Sequence, residues 1–245
     1  MSTQYLRPSS LRHRETHYCP GCGHGILHRI VSEVIDELDI RRTTAAVAPV
    51  GCAVVAYNYW NFDCSEAAHG RALAVATGIK RVSPDLCVFT YQGDGDLASI
   101  GLAETVHAAN RGERLTCIFV NNACYGMTGG QMAPTSLIGQ KTATTPCGRT
   151  PDTGEGWPLK ISDLLAQLPG VCFVARCALS SPKEIQDTAR QIKTAFQHQL
   201  DKRGFSLVEV LSPCPTIWQK NPVEAMAWID TEMKKVFPPG ILKTP

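Results

Sequence analysis

Apolar positions run nearly unbroken over residues 86–91 and again over 115–120, and between them residues 97–110 carry apolar positions at helical spacing. The pattern predicts a strand, a helix and a second strand. Gly93-Asp94-Gly95-Asp96 falls at the end of the first strand and Asn121-Asn122 at the end of the second. Parallel strands joined by a right-handed crossover open on the same edge of their sheet, the edge where open α/β folds bind ligands. Asp94 and Asn122 are therefore expected to face one another.

The same reading extends along the chain. A helix follows residue 25, with Ile26, Leu27, Ile30, Val31, Val34, Ile35 and Leu38 on one stripe, and residues 44–50 form a β-rich run ending at Gly51-Cys52. Residues 53–60 are apolar and aromatic. His69-Gly70-Arg71 precedes a helix whose small residues Ala72, Ala74, Ala76 and Gly78 imply close packing on a sheet. Residues 135–160, rich in Thr, Pro and Gly with little periodicity, read as a long functional loop or lid. Beyond it come a short helix over 161–168, a strand over 171–176, a helix over 183–198 started by Ser181-Pro182, a strand over 205–211, and a final amphipathic helix over 221–236 ended by Pro238-Pro239. With no repeat and no linker, residues 1–245 are expected to form a single domain preceded by an N-terminal arm, residues 1–16. Its class is α/β: a three-layer parallel sheet with helices on both faces.

Composition narrows the chemistry. A chain of 245 residues that is 44% hydrophobic can bury a sizeable core, and a net charge of +2 without a basic-aromatic stripe gives no reason to expect nucleic acid. No apolar run approaches about 18 residues and no signal-like segment opens the chain, so neither a membrane span nor secretion is expected and the location is read as cytoplasmic. Eleven cysteines in such a compartment are expected to be reduced, and some of them to hold metal.

Two sets of residues carry candidate chemistry. Asp94, Asn122 and a loop carbonyl make a hard-oxygen set suited to Mg²⁺, which keeps positions open for phosphate, and Gly93 and Gly95 allow close backbone approach. Cys19, Cys22, Cys52 and Cys214 stand at strand ends or on the turn that opens the first helix. Such a turn presents free N–H groups that favour thiolate. Cys87, Cys117 and Cys172 lie inside apolar strands as core residues. Four thiolates suit either zinc or a [4Fe-4S] cluster, and spacing alone leaves both open.

Together these segments resemble the β, thiamine diphosphate-binding, subunit of the 2-oxoacid:ferredoxin oxidoreductases. The similarity covers Tyr18-Cys19-Pro20-Gly21-Cys22-Gly23-His24, Gly51-Cys52, His69-Gly70-Arg71, Gly93 to Asp96, Asn121-Asn122, Gly126-Met127-Thr128-Gly129-Gly130-Gln131 and Ser212-Pro213-Cys214, with Asn122 lying 28 residues beyond Asp94. The resemblance implies a thiamine diphosphate-binding fold. It implies that Cys19, Cys22, Cys52 and Cys214 bind one [4Fe-4S] cluster, and that Asp94, Asn122 and the Cys124 carbonyl bind Mg²⁺. Gly23, His24, His69, Gly93, Gly95, Asp96, Asn122, Gly126, Met127 and Thr128 are implied to contact the cofactor, with His69 and Arg71 as catalytic residues. Cys124 and Cys147 are not implied as cluster ligands.

The implied reaction is oxidative decarboxylation of a 2-oxoacid to acyl-CoA and carbon dioxide, with coenzyme A as co-substrate and ferredoxin as electron acceptor. The implied partners are an α subunit, which supplies the acid that activates the aminopyrimidine, and γ and ferredoxin-like δ subunits. This chain has no Cys-x-x-Cys-x-x-Cys-x-x-x-Cys run, so further clusters belong on other chains. Residues 53–62 and 123–130 contain no Lys or Arg, which favours a branched-chain acid such as 2-oxoisovalerate over 2-oxoglutarate, unless Arg71, Lys141 or Arg149 supplies a cation. The rival readings are a non-redox thiamine diphosphate decarboxylase or synthase, which needs no cysteine set, and a metal-stabilised subunit without an active site, which needs no Asp94–Asn122 pair.

Overall fold

In the computed structural model, which describes residues 6–245, the elements in chain order are α1 (Gly23–Glu37), β1 (Thr44–Pro49), β2 (Asp63–Ala67), α2 (Ala72–Val82), β3 (Cys87–Gly93), α3 (Leu102–Asn110), β4 (Thr116–Asn121) and α4 (Ile161–Ala166). They continue with β5 (Val171–Ala178), α5 (Pro182–Leu200), β6 (Phe205–Leu211), α6 (Pro215–Trp218), α7 (Pro222–Trp228), α8 (Lys234–Val236) and β7 (Gly240–Lys243). The seven strands make one sheet in the order β2-β1-β3-β4-β6-β5-β7. Six of them are parallel, and β7 runs antiparallel to β5.

Helices cover both faces, because the apolar strands offer side chains to both. Leu27, Val31 and Ile35 of α1 and Ile192, Ala195 and Phe196 of α5 pack with Phe89, Ile118 and Val208 on one face. Ala72 and Ala76 of α2, Ala108 of α3 and Ile161 of α4 pack with Val88, Phe119 and Leu207 on the other. Each fully buried Phe or Leu of these clusters contributes about 1.5–3 kcal/mol through burial.

Three features differ from the sequence expectation. β2 and β7 were not anticipated, so the expected wholly parallel sheet carries an antiparallel edge strand. The expected helix over 221–236 is continuous from Pro222 to Val236 but widens into a π turn at Ile229–Met233, between α7 and α8. A second π turn, Asp96–Ile100, opens the helix after β3, with Gly101 N donating to Asp96 O at 2.7 Å. Of the expected N-terminal arm, residues 1–5 lie outside the described residues. Its remainder lies on the chain's own surface: Ser10 Oγ donates to Asp36 at 2.5 Å and Arg12 N to Tyr59 O at 2.8 Å.

Arg176 of β5 and Glu209 of β6 are register partners and both are buried. Arg176 Nε donates to Glu209 at 2.7 Å. Glu209 also accepts from Ser162 Oγ at 2.5 Å and from Asn121 Nδ2 at 2.7 Å, which ties the end of β4 to this pair.

Candidate active site

The carboxyl ends of β1, β3, β4 and β6 meet at one edge. There Asp94 is almost wholly buried, and its carboxylate is held by three donors: Gly95 N at 2.9 Å on Oδ1, and Cys124 N at 3.1 Å and Thr135 Oγ1 at 2.6 Å on Oδ2. Burial nevertheless outweighs those bonds and pushes its pKa up to about 7. Such a carboxyl gains from a cation. Asn122 lines the same cavity, and its carbonyl accepts from Trp218 Nε1 at 3.0 Å. Asn121 shapes the loop: its Oδ1 accepts from Ala123 N at 3.1 Å, and Ala123 takes a left-handed φ of 55°. The cavity is further lined by His24, Cys52, His69, Gly93, Gly95, Asp96, Cys124 and Gly126 to Thr128, so sequence-predicted positions make most of its wall.

Cys19, Cys22, Cys52 and Cys214 line a second, adjoining cavity together with Tyr18 and His24. Cys22 is the N-cap of α1, and its N–H closes a turn on Cys19 O at 3.0 Å. Gly23 brings this turn to the end of β6. Its N donates to Pro213 O at 3.2 Å, and a Cβ there would lie 2.2 Å from Ser212 Oγ. Gly23 thus serves the approach of Cys22 to Cys214 and does not line the cofactor cavity. The helix start does not make Cys22 acidic: burial pushes its thiol up to about 12, the His24 N–H only partly offsetting it, and burial pushes Cys52 up to about 11. The neighbouring sulfurs add to both rises. Cys214 is held below the usual thiol range because Cys124 donates to it. A cationic metal would relieve the cost of ionising Cys22 and Cys52. All eleven cysteines are free, and among the described residues no group of three or more His, Cys, Asp or Glu side chains is drawn together tightly enough to hold a single metal ion.

His24, Cys52, Asn122, Gly126 and Met127 line both cavities. Gly126 is where a side chain would intrude, since a Cβ would lie 3.3 Å from Cys52 Sγ, 3.5 Å from Asn122 Nδ2 and 3.7 Å from Cys214 Sγ. His24 is buried, stacks on Tyr18 with 4.7 Å between ring centroids, and shares a hydrogen bond of 2.7 Å between Nδ1 and the Tyr91 hydroxyl. Burial lowers its pKa to about 4, so it is neutral.

His69 reaches the cofactor cavity with Nδ1 donating to Asp96 Oδ1 at 2.5 Å. Asp96 also accepts from Gly70 N at 2.5 Å and Gln92 Nε2 at 2.7 Å, so its carboxylate is committed to the His69 loop. Arg71 is not brought into the cavity; its guanidinium pairs with Glu104 at 2.6 Å. Cys147 is exposed in the long loop. Arg149 is buried against backbone carbonyls, and with Lys141 it stands apart from the lining, so neither supplies that wall with a cation. Sequence reasoning missed Gln92, Tyr125 and Thr135. Tyr125 packs over Gly95, and nothing in local sequence marks its role or that of Thr135.

A parallel sheet ending in this pair of loops defines a thiamine diphosphate-dependent fold, and residues 49–210 match the family described as thiamine pyrophosphate enzyme, C-terminal TPP binding domain. The matched span holds Asp94, Asn122 and Cys52 but not Cys19, Cys22 or Cys214. The chain is 38% identical over 216 residues to the 2-oxoglutarate synthase subunit KorB of Methanocaldococcus jannaschii, covering 88% of this chain and 74% of that protein. It is 53% identical over 225 residues to the ketoisovalerate oxidoreductase subunit VorA of Methanothermobacter thermautotrophicus, covering 91% of this chain and 46% of the relative, so it spans about half of that protein's length. A 2-oxoglutarate:ferredoxin oxidoreductase structure from Magnetococcus marinus, with 2-oxoglutarate, coenzyme A and succinyl-CoA bound, superposes with a TM-score of 0.81 at 29% identity, covering 100% of this chain and 87% of that one. The chain therefore belongs to the 2-oxoacid:ferredoxin oxidoreductase subunits that carry the thiamine diphosphate-binding domain.

Proposed function

We propose that this chain is the cofactor-bearing subunit of an enzyme that converts a 2-oxoacid and coenzyme A to acyl-CoA and carbon dioxide, two electrons leaving for ferredoxin. The observation that carries the reading is the shared wall: a cavity with Asp94 and Asn122 adjoins one lined by four cysteines. Bound there, thiamine diphosphate supplies a nucleophilic carbon and electron sink, Mg²⁺ neutralises its diphosphate, and a [4Fe-4S] cluster supplies one-electron steps. Asp94, Asn122 and the Cys124 carbonyl would hold Mg²⁺, and Cys19, Cys22, Cys52 and Cys214 the cluster. The raised Asp94 carboxyl and the raised thiols of Cys22 and Cys52 fit those cations.

The remaining residues bind and orient. Gly93, where a Cβ would meet nothing within 4 Å, admits the diphosphate to the backbone, and Gly95, Gly126, Met127 and Thr128 line the same cavity. Neutral His24 presents a hydrogen-bonding nitrogen without charge. Asp96 fixes His69 with its Nδ1 proton inward, leaving Nε2 to bind or move a proton in the cavity. Arg71 takes a supporting place beside the His69 turn. Partners are an α subunit, which contributes the acid for the aminopyrimidine, γ and ferredoxin-like δ subunits, and ferredoxin. Eleven free thiols suit a cytoplasmic enzyme.

The cavity wall from this chain contains no Lys or Arg. A second carboxylate on the substrate finds no counter-charge there, which supports a branched-chain acid such as 2-oxoisovalerate. The test is anaerobic co-expression with the partner subunits, followed by EPR as coenzyme A is added with 2-oxoisovalerate, pyruvate or 2-oxoglutarate. A reduced [4Fe-4S] signal appearing fastest with 2-oxoisovalerate is expected. Fastest reduction by 2-oxoglutarate overturns the substrate assignment, and a colourless, zinc-loaded protein silent with every acid overturns the redox function.

A further inference from the structure

The loop between Met132 and Lys160 has little regular structure, yet it is anchored at many points. Arg149, buried, donates from Nη1 to the carbonyls of Ser136 at 2.6 Å, Pro134 at 2.9 Å and Ala133 at 3.4 Å. From Nε and Nη2 it donates to Gly156 at 3.0 Å, Glu155 at 3.0 Å and Trp157 at 2.8 Å. One guanidinium thus grips the peptide carbonyls on both sides of Thr135. The loop is also tied to the residue after Asn122, because Ser136 Oγ and Gln140 Nε2 donate to Ala123 O at 2.6 and 2.9 Å. Thr135 is itself fully buried, and its hydroxyl makes the shortest of the three hydrogen bonds to Asp94.

We infer that Thr135 is a positioning residue for the metal carboxylate. Arg149 holds the loop as a strap, and the strap delivers one hydroxyl that turns Asp94 so that its remaining lone pair faces the cavity. An ionised carboxylate has about four lone-pair sites. Three are taken by Gly95, Cys124 and Thr135, which leaves direction as well as charge for a cation. Groups that orient a metal ligand typically affect metal affinity by about 10–100-fold when removed.

The inference rests on the reading that Asp94 is a metal ligand, and the experiment separates the two. The full chain with saturating thiamine diphosphate is titrated with Mn²⁺ as an EPR-visible substitute for Mg²⁺, and free Mn²⁺ is measured. Thr135→Val should weaken Mn²⁺ binding by about tenfold or more, and Thr135→Ser should bind within a few-fold of the parent. Arg149→Lys, whose single ammonium cannot span six carbonyls, should weaken Mn²⁺ with Thr135 unchanged and should expose residues 137–157 to protease. It reports on the strap even where the Val variant folds poorly. Parental affinity in Thr135→Val, or equal weakness of the Ser and Val variants, overturns the positioning role while leaving Asp94 as ligand. Identical Mn²⁺ binding by the parent and Asp94→Asn overturns the metal reading and this inference with it.

Discussion

Removing the charge of Glu209 tests whether the Arg176 pair is a desolvated unit. Arg176 has no exposed side-chain surface and Glu209 has 1%. Glu209→Gln would leave the guanidinium with Asp163, which is 46% exposed, and the carbonyl of Pro238. Breaking a buried pair from one side costs about 3–5 kcal/mol. For a chain of this length each kcal/mol moves the melting temperature by about 2–4 °C, so a fall of roughly 6–20 °C is expected. The double variant Arg176→Met with Glu209→Leu removes both charges. Its remaining cost is the orphaned amide of Asn121 and hydroxyl of Ser162, about 1–3 kcal/mol. The assay is urea unfolding of the parent, Glu209→Gln, the single variants Arg176→Met and Glu209→Leu, and the double, with the coupling taken from the Met/Leu cycle. A Glu209→Gln loss within about 1 kcal/mol of the parent, or additive single losses, would refute the reasoning.

Further expectations follow from the cavity walls and the buried histidines. At Gly95 a Cβ would lie 2.1 Å from Tyr125 Cε1; overpacking of about 1–3 kcal/mol predicts that Gly95→Ala weakens thiamine diphosphate binding roughly tenfold in a fluorescence titration. Unaltered binding there would show that Tyr125 moves freely. Gly126→Ala should lower the iron retained per chain after anaerobic reconstitution, whereas Gly25→Ala, where a Cβ meets nothing within 4 Å, should not. His28 is buried, with Nε2 2.8 Å from the Tyr18 hydroxyl, and burial holds its pKa well below 6.5. The unfolded chain therefore binds a proton that the folded chain refuses, so this contribution is intact above pH 6.5 and is lost as pH falls below it. Thermal unfolding of His28→Phe between pH 7.5 and 5 should show a slope shallower by up to about 1.4 kcal/mol per pH unit; an unchanged slope would exclude His28 as a source.

The centre of the molecule was legible because it is local. Residues 205–211 are the strand that their pattern predicts, β3 and β4 end at the expected loops, and the four cysteines chosen for their places at element ends do line one cavity. β2 escaped because Asp63, Ser65 and Glu66 suit an edge strand, whose exposed positions erase the apolar signal. The π turn inside the last helix escaped because it adds a residue without disturbing composition. Gln92, Thr135 and the loop-gripping role of Arg149 escaped for a different reason: their partners lie 4, 41 and up to 16 residues away, and no periodicity encodes which side chain meets which acceptor. Arg71 looked catalytic beside His69, but its charge is spent on Glu104.

The short antiparallel β7 bears on how molecules of this chain stay apart. β5 is buried along all eight residues, and β7 pairs with it at Val174, Ala175 and Arg176. Were that side bare, a hydrophobic strand would present unpaired backbone groups as a template for a neighbouring molecule. β7 occupies the template and, being only four residues long with Gly240 at its start and Pro238-Pro239 before it, makes a poor template itself. Protection of that edge of the sheet thus rests on residues 240–243, far from the chemistry.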